Sequence, residues 1–112
     1  MVFKVKDEKE FQGLIDENDI RIPRSIVKAI SDNMNNIKQN ITVISIESAE
    51  PKITYNVSLE KKHYYETLQD NLKFFIENEQ YEECNGIVAM MDSIKNKKSI
   101  TNIIQSLNEQ NK

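Results

Sequence analysis

Two apolar stripes at helical spacing, separated by a short polar break, constrain this chain more than any other feature. The first is Tyr65, Leu68, Leu72, Phe75 and Ile76; the second is Tyr81, Cys84, Ile87, Val88, Met91 and Ile94. Residues at i, i+3, i+4 and i+7 share one face of a helix, so each run predicts an amphipathic helix. The break between them, Glu77-Asn78-Glu79-Gln80, leaves room only for a turn. Two apolar faces joined this closely bury themselves by folding back on each other or by meeting a second chain. Residues 60–96 therefore read as an antiparallel helical hairpin, an element that often recognises other proteins.

The upstream half has a different periodicity. Val2 to Val5 reads as a short strand, and Asp7 with Glu10 forms a capping box ahead of a helix whose apolar face is Phe11, Leu14 and Ile15. Ile20-Arg21-Ile22 is expected to be extended because it precedes Pro23, which then fits the first turn of a second helix carrying Ile26, Val27, Ile30, Met34 and Ile37. From Ile41 to Ser48 the β-branched residues break phase between Val43 and Ile44, which implies either a strand buried on both faces or a bulge. Lys52 to Leu59 alternates, with Ile53, Tyr55, Val57 and Leu59 on one face, so residues 41–59 form a β-hairpin whose second strand is half exposed. After the helical hairpin comes Lys95-Asn96-Lys97-Lys98, and Ser99 can cap a last helix with Ile100, Ile103, Ile104 and Leu107.

With 112 residues, two glycines and two prolines, the chain reads as one domain of long elements and short loops. The expected class is α+β: a small antiparallel sheet packed against helices, with the hairpin at the C-terminal end. Residues 1–59 supply the α/β portion and residues 60–110 the helical portion. The net charge of −3 disfavours general attraction to nucleic acid. No apolar run reaches the ~20 residues of a membrane span, and the charged N-terminus is unlike a signal peptide, so a cytoplasmic protein without membrane attachment is expected. The lone Cys84 lies on an apolar stripe and reads as a small core residue. Heavy use of Ile, Asn and Lys beside only two arginines points to A/T-rich coding sequence, as in a low-GC bacterium or one of its phages.

Little here suggests catalysis. His63 is the single histidine, and the sequence offers it neither an orienting partner nor a nucleophile to serve. No phosphate loop, dinucleotide fingerprint or zinc-ligand spacing occurs, so no enzyme activity, cofactor or metal is expected. Glu77, Glu79, Glu82 and Glu83 crowd the hairpin tip, but a calcium loop would need a glycine at its sharp turn and none falls there. The last of these carboxylates suit a helix N-terminus, and the group as a whole is a candidate knob for a basic partner. Lys95, Lys97 and Lys98 form the opposite cluster, suited to a helix C-terminus or to phosphate, though no aromatic residues interleave them for base stacking. Tyr64, on the other side of its helix from Tyr65, is the candidate interface anchor. Asn85-Gly86 interrupts the second stripe. The stripe keeps its phase, which favours a continuous helix with the facing helix close to Gly86, over a turn with the second arm starting at Ile87.

The stretch Leu68-x3-Leu72-x8-Tyr81-Glu82-x-Cys84-x2-Ile87-x3-Met91-x2-Ile94 resembles a UVR motif. That motif is the helical hairpin through which the repair proteins UvrB and UvrC associate, and it occurs also in Clp-type chaperones and a kinase activator. The family's aromatic-Glu-x-Ala centre corresponds to Tyr81-Glu82-x-Cys84, while its Arg-Asp pair falls on Val88-Ala89. The resemblance covers about a quarter of the chain and implies a role in protein association. The expected function is thus a small interaction protein, an adaptor, inhibitor or accessory subunit, binding another protein and open to self-association. The alternative is a nucleic-acid accessory protein using Lys95, Lys97 and Lys98.

Overall fold

Alternation near the N-terminus and in the middle of the chain builds a three-stranded sheet, and the helical periodicities build four helices. The computed structural model describes residues 2–110, with side chains described for residues 2–96. In chain order the elements are β1 (Val2–Val5), α1 (Glu8–Asp16), α2 (Arg21–Asp32), β2 (Asn40–Ala49), β3 (Lys52–Glu60), α3 (Tyr64–Glu77) and α4 (Tyr81–Gln110), with a 3-10 turn at Lys61–His63. This is an α+β arrangement. The chain divides into two units, 1–67 and 68–112, with the boundary inside α3 rather than at the end of the β-hairpin.

In the first unit the strand order is β1-β2-β3. The sheet is mixed rather than antiparallel: β3 runs antiparallel to β2, but β1 pairs with β2 in parallel, Phe3 beside Ile46 and Val5 beside Ser48. Two helices separate β1 from β2 in sequence, and a crossover of that length is what a parallel pair needs. α1 packs on β1 and α2 on β2, so the core lies on one face of the sheet: Phe3, Val5, Ile41, Val43, Ile44 and Ile46, with Ile30 fully enclosed.

α1 begins as its sequence dictates. The Asp7 carboxylate accepts the Glu10 N–H at 3.0 Å, and Glu10 accepts the Lys6 N–H at 2.9 Å. The helix closes on Asn18 in the left-handed region (φ 54°), with Asn18 N–H donating to Ile15 and Asp19 N–H to Leu14, a Schellman ending.

α2 departs from expectation at both ends. It starts at Arg21, so Ile20-Arg21-Ile22 is not extended, while Pro23 falls within the first turn as expected, where its missing N–H costs nothing. The reason is Asp19, whose carboxylate takes the Arg21 N–H at 3.0 Å and grips the guanidinium at 2.7 Å. The helix stops at Asp32, leaving Ile37 in the following loop and 91% exposed rather than on a buried stripe.

In the second unit, residues 68–77 of α3 and α4 form the hairpin. Glu79 takes a left-handed conformation (φ 58°), and the N–H groups of Glu79 and Gln80 donate to Ile76 and Phe75, again a Schellman ending. Leu68, Phe75, Cys84 and Ile87 are buried, with Leu72, Met91 and Ile94 half-buried. Three residues expected on the stripes, Ile76, Tyr81 and Val88, are instead at least two-fifths exposed. α4 continues through Lys95–Lys98, so no separate helix begins at Ser99. It also continues through Gly86, but a Cβ there would meet nothing within 4 Å, so close approach of a facing helix is not the reason glycine is tolerated.

Candidate functional site

The most distinctive surface lies on the first unit, at its β3 edge, and its geometry starts from an irregularity in β2. Successive pairs Ile41–Leu59 and Thr42–Ser58 are followed by Ile44–Val57, so Val43 has no partner across the ladder. One extra residue in β2 makes a bulge. It resets the alternation so that Ile41, Val43, Ile44, Ile46 and Ser48 are all buried. The Ser25 hydroxyl of α2 donates to the Val43 carbonyl at 2.9 Å, supplying the partner that the ladder does not.

β3 then carries Ile53, Tyr55 and Val57 on the helix-covered face, beside Ser48, Ile46 and Ile44 of β2. The helices cover β1 and β2 but stop short of β3. These three side chains remain 42%, 45% and 43% exposed, whereas their β2 neighbours are buried. Between α1 and β3 lies a groove of about 280 Å³, floored by Val5 and Ile46, walled by Phe11 and Ile15 on one side and Tyr55 on the other. Ser48 lines it too, its hydroxyl buried and without a hydrogen-bond partner. A larger, more open depression of about 650 Å³ sits at the turn end of the sheet, where Lys4, Glu47, Lys52 and Thr54 add polar groups.

Behind α1, Asp19 and Arg21 form a fixed pair. The side-chain hydrogen bonds from Arg21, and then its backbone N–H, hold the Asp19 carboxyl down at about 2. The guanidinium is raised in turn by the same hydrogen bonds and stands 5.6 Å over the Phe3 ring. This pair supports the β1 side of the sheet and is no part of the groove.

Of the residues singled out in sequence, Tyr64 lies in the first unit and the four glutamates and Lys95 in the second. Tyr64 is only 2% exposed, its hydroxyl has no hydrogen-bond partner, and burial raises its phenol; it cannot anchor a partner. Tyr81, expected on the second apolar stripe, is 61% exposed. Glu77, Glu79 and Glu82 are exposed at the hairpin tip and Glu83 is half-buried; Glu82 and Glu83 occupy the first turn of α4, where the helix dipole favours them. Lys95 is exposed about 20 Å along α4 from that tip, and the side chains of Lys97 and Lys98 lie outside the described residues. His63 is a surface imidazole with Glu66 at 3.6 Å, and Cys84 is a buried free thiol. Among the described residues no cluster of three His, Cys, Asp or Glu could hold a metal, and no helix is long and apolar enough to cross a membrane.

The β3 edge is the strand that the sequence already reads as half exposed, and its row Ile53, Tyr55 and Val57 is where the exposure falls. Its signal was present as the alternation of residues 52–59, but alternation does not say whether a strand lies at the edge of its sheet. Comparison with protein-family models, with curated proteins and with solved structures finds no match.

Proposed function

We propose that this chain is a small non-catalytic interaction module, an adaptor, inhibitor or accessory subunit, that works by accepting an extended polypeptide strand on β3. The observation that carries the reading is the half-exposed row Ile53, Tyr55 and Val57 on an edge strand of nine residues. An edge strand offers unpaired N–H and C=O groups on every second residue, and an added strand satisfies them while its alternate side chains meet the apolar row. The occupant is therefore a segment with apolar residues at alternate positions. Its side chains would extend the covered face of the sheet and reach the groove beside Tyr55. A protein-association role is also what the UVR-like stretch within residues 65–96 implies.

Selection from a random peptide library against the immobilised protein tests this. Enriched peptides should alternate apolar and polar residues. Their affinity should fall at least roughly tenfold on Tyr55→Lys, a charge aimed along the apolar row that leaves circular dichroism unchanged. No enrichment, or peptides that bind Tyr55→Lys as well as the parent chain, would refute it.

A further inference from the structure

Edge strands are hazardous, and the two edges of this sheet differ in how they are protected. β1 is four residues long and carries Lys4, with Lys6 just beyond it, two standard deterrents to unwanted pairing. β3 is nine residues long, contains no proline, and has apolar residues at Ile53, Tyr55, Val57 and Leu59 on the covered face. The bulge sits on β2, so β3 itself is regular. Its only charges are at its two ends, Lys52 and Glu60, and they are of opposite sign.

That placement makes the strand complementary to itself. Lay a second β3 antiparallel against the first, about a two-fold axis through Asn56. Lys52 then faces Glu60 of the other copy, Ile53 faces Leu59, Thr54 faces Ser58, Tyr55 faces Val57, and Asn56 faces its own counterpart. Every apolar residue meets an apolar residue, every neutral polar residue meets another, and the two charged ends meet their opposites. Faces are preserved because the side-chain period is two, so only shifts that move the axis by whole residues along β3 are open. Moving the axis to Val57 or to Tyr55 carries Lys52 or Glu60, respectively, past the end of the neighbouring β3, shortens the overlap from nine residues to seven, and sets the remaining charge opposite Thr54 or Ser58. Opposite charges directly across a ladder are stabilising, so the full overlap and its two Lys52–Glu60 pairs select the axis at Asn56. The Glu60–Lys62 ion pair at 3.1 Å is solvent-exposed on both sides; such pairs hold their members weakly and do not compete with a cross-strand partner.

We infer that the strand taken up by β3 is β3 of a second copy of this chain, giving a closed two-fold dimer with a continuous six-stranded sheet. The inference rests on reading β3 as a strand-accepting edge, and it names the partner. An isologous contact of this kind closes on itself and leaves neither β3 edge open, whereas β3 against β1 of another copy would propagate into fibres. In the dimer the two rows of Ile53, Tyr55 and Val57 become neighbours across the axis, and the α1–β3 grooves flank the joined apolar band.

Sedimentation equilibrium on the full chain tests the inference through charge exchange. The parent chain is expected to show a reversible monomer–dimer equilibrium. Lys52→Glu and Glu60→Lys should each weaken dimerisation at least roughly tenfold, because each places two like-charge pairs across the axis. An equimolar mixture of the two variants should recover the parent affinity as a heterodimer, since one chain then offers two carboxylates where the other offers two ammonium groups. A parent chain that stays monomeric at the highest soluble concentration overturns the inference, while peptide capture by β3 remains separately measurable. A dimer lost on Tyr55→Lys but indifferent to both charge variants overturns the Asn56 axis and leaves the edge reading standing. A dimer that survives Tyr55→Lys overturns both.

Discussion

Replacing Ser25 with Ala tests whether the β2 bulge is held by the helix beneath it. The hydroxyl is buried, donates at 2.9 Å, and ends on the carbonyl of Val43, the one residue that the β2–β3 ladder skips. Losing a typical intramolecular hydrogen bond costs about 1 kcal/mol, and leaving its buried partner unsatisfied raises that toward 2 or 3. Here the alanine methyl fits the space of the hydroxymethyl group without a cavity of any size, so nearly all of the loss is the orphaned carbonyl, and about 2 kcal/mol is expected. For a chain of this length that lowers Tm by about 8 °C. Ser31→Ala, an exposed position on the same helix, is the control and should stay within about 0.5 kcal/mol.

Urea unfolding followed by circular dichroism gives both numbers, and the m-value should be unchanged, because the substitution alters the native contact and not the compactness of either state. Amide hydrogen exchange adds the location: protection should fall first around Val43 and its neighbours Val57 and Ser58 on β3. If Ser25→Ala matches Ser31→Ala in stability, the Val43 carbonyl has found water or another donor. The bulge would then be a property of the strands alone.

Three further outcomes are expected. Gly86→Ala should stabilise the protein by about 1 kcal/mol in denaturant unfolding, because the added methyl meets open space inside a continuous helix; a neutral or destabilising result would mean that α4 is broken there. Glu79→Gly should gain about 0.5 kcal/mol, the relief of a left-handed conformation less the added freedom of the unfolded chain, and Glu79→Ala, which keeps the strain, should gain nothing. The Asp19 carboxyl, lying at about 2, should titrate there by NMR and return toward the ordinary carboxylate range in Arg21→Gln. Since its folded value is lowered, its contribution to stability is present above the unfolded value of about 4 and is lost as pH falls through about 2. The stability difference between the parent chain and Asp19→Asn should therefore shrink across that window, and a pH-independent difference would refute the pairing.

What could be read from sequence was what is decided within a turn or two of chain. Asp7 and Glu10 announce α1 because both hydrogen bonds of the cap are local. The phase break at Val43-Ile44 announces a bulge, but Ser25, eighteen residues earlier, carries no sign that it will cap it. Ile20-Arg21-Ile22 reads as extended because it precedes a proline, but an Asp-x-Arg clasp two residues long can open the helix ahead of Pro23. Lys95-Asn96-Lys97-Lys98 looked like a break only by polarity; it contains neither glycine nor proline, and lysine is a good helix former, so α4 runs on. The tyrosines show the limit most clearly. Spacing says which residues share a face but not which face turns inward: Tyr64 lies at i−4 from Leu68 and i−11 from Phe75, as good a stripe as the one through Tyr65, and it is the buried one.

The half-exposed strand was legible in its alternation, but what leaves its apolar face uncovered is topological. The alternation of Ile53, Tyr55 and Val57 describes a strand with one apolar face, and such a face is ordinarily covered by the helices of its own domain. Whether it is covered depends on where β1 docks. By pairing with the far side of β2, β1 draws α1 and its Phe3–Phe11 contact at 6.3 Å toward that side. The helical layer is thereby centred over β1 and β2. Had β1 paired with β3 instead, the row would lie mid-sheet beneath the helices and the edge would fall on β2, whose apolar residues are buried. The parallel pairing therefore fixes both the mixed topology and the exposed row. An apolar edge that its own domain leaves uncovered, with opposite charges at its two ends and none between, has the residue order that the proposed pairing with a second copy requires.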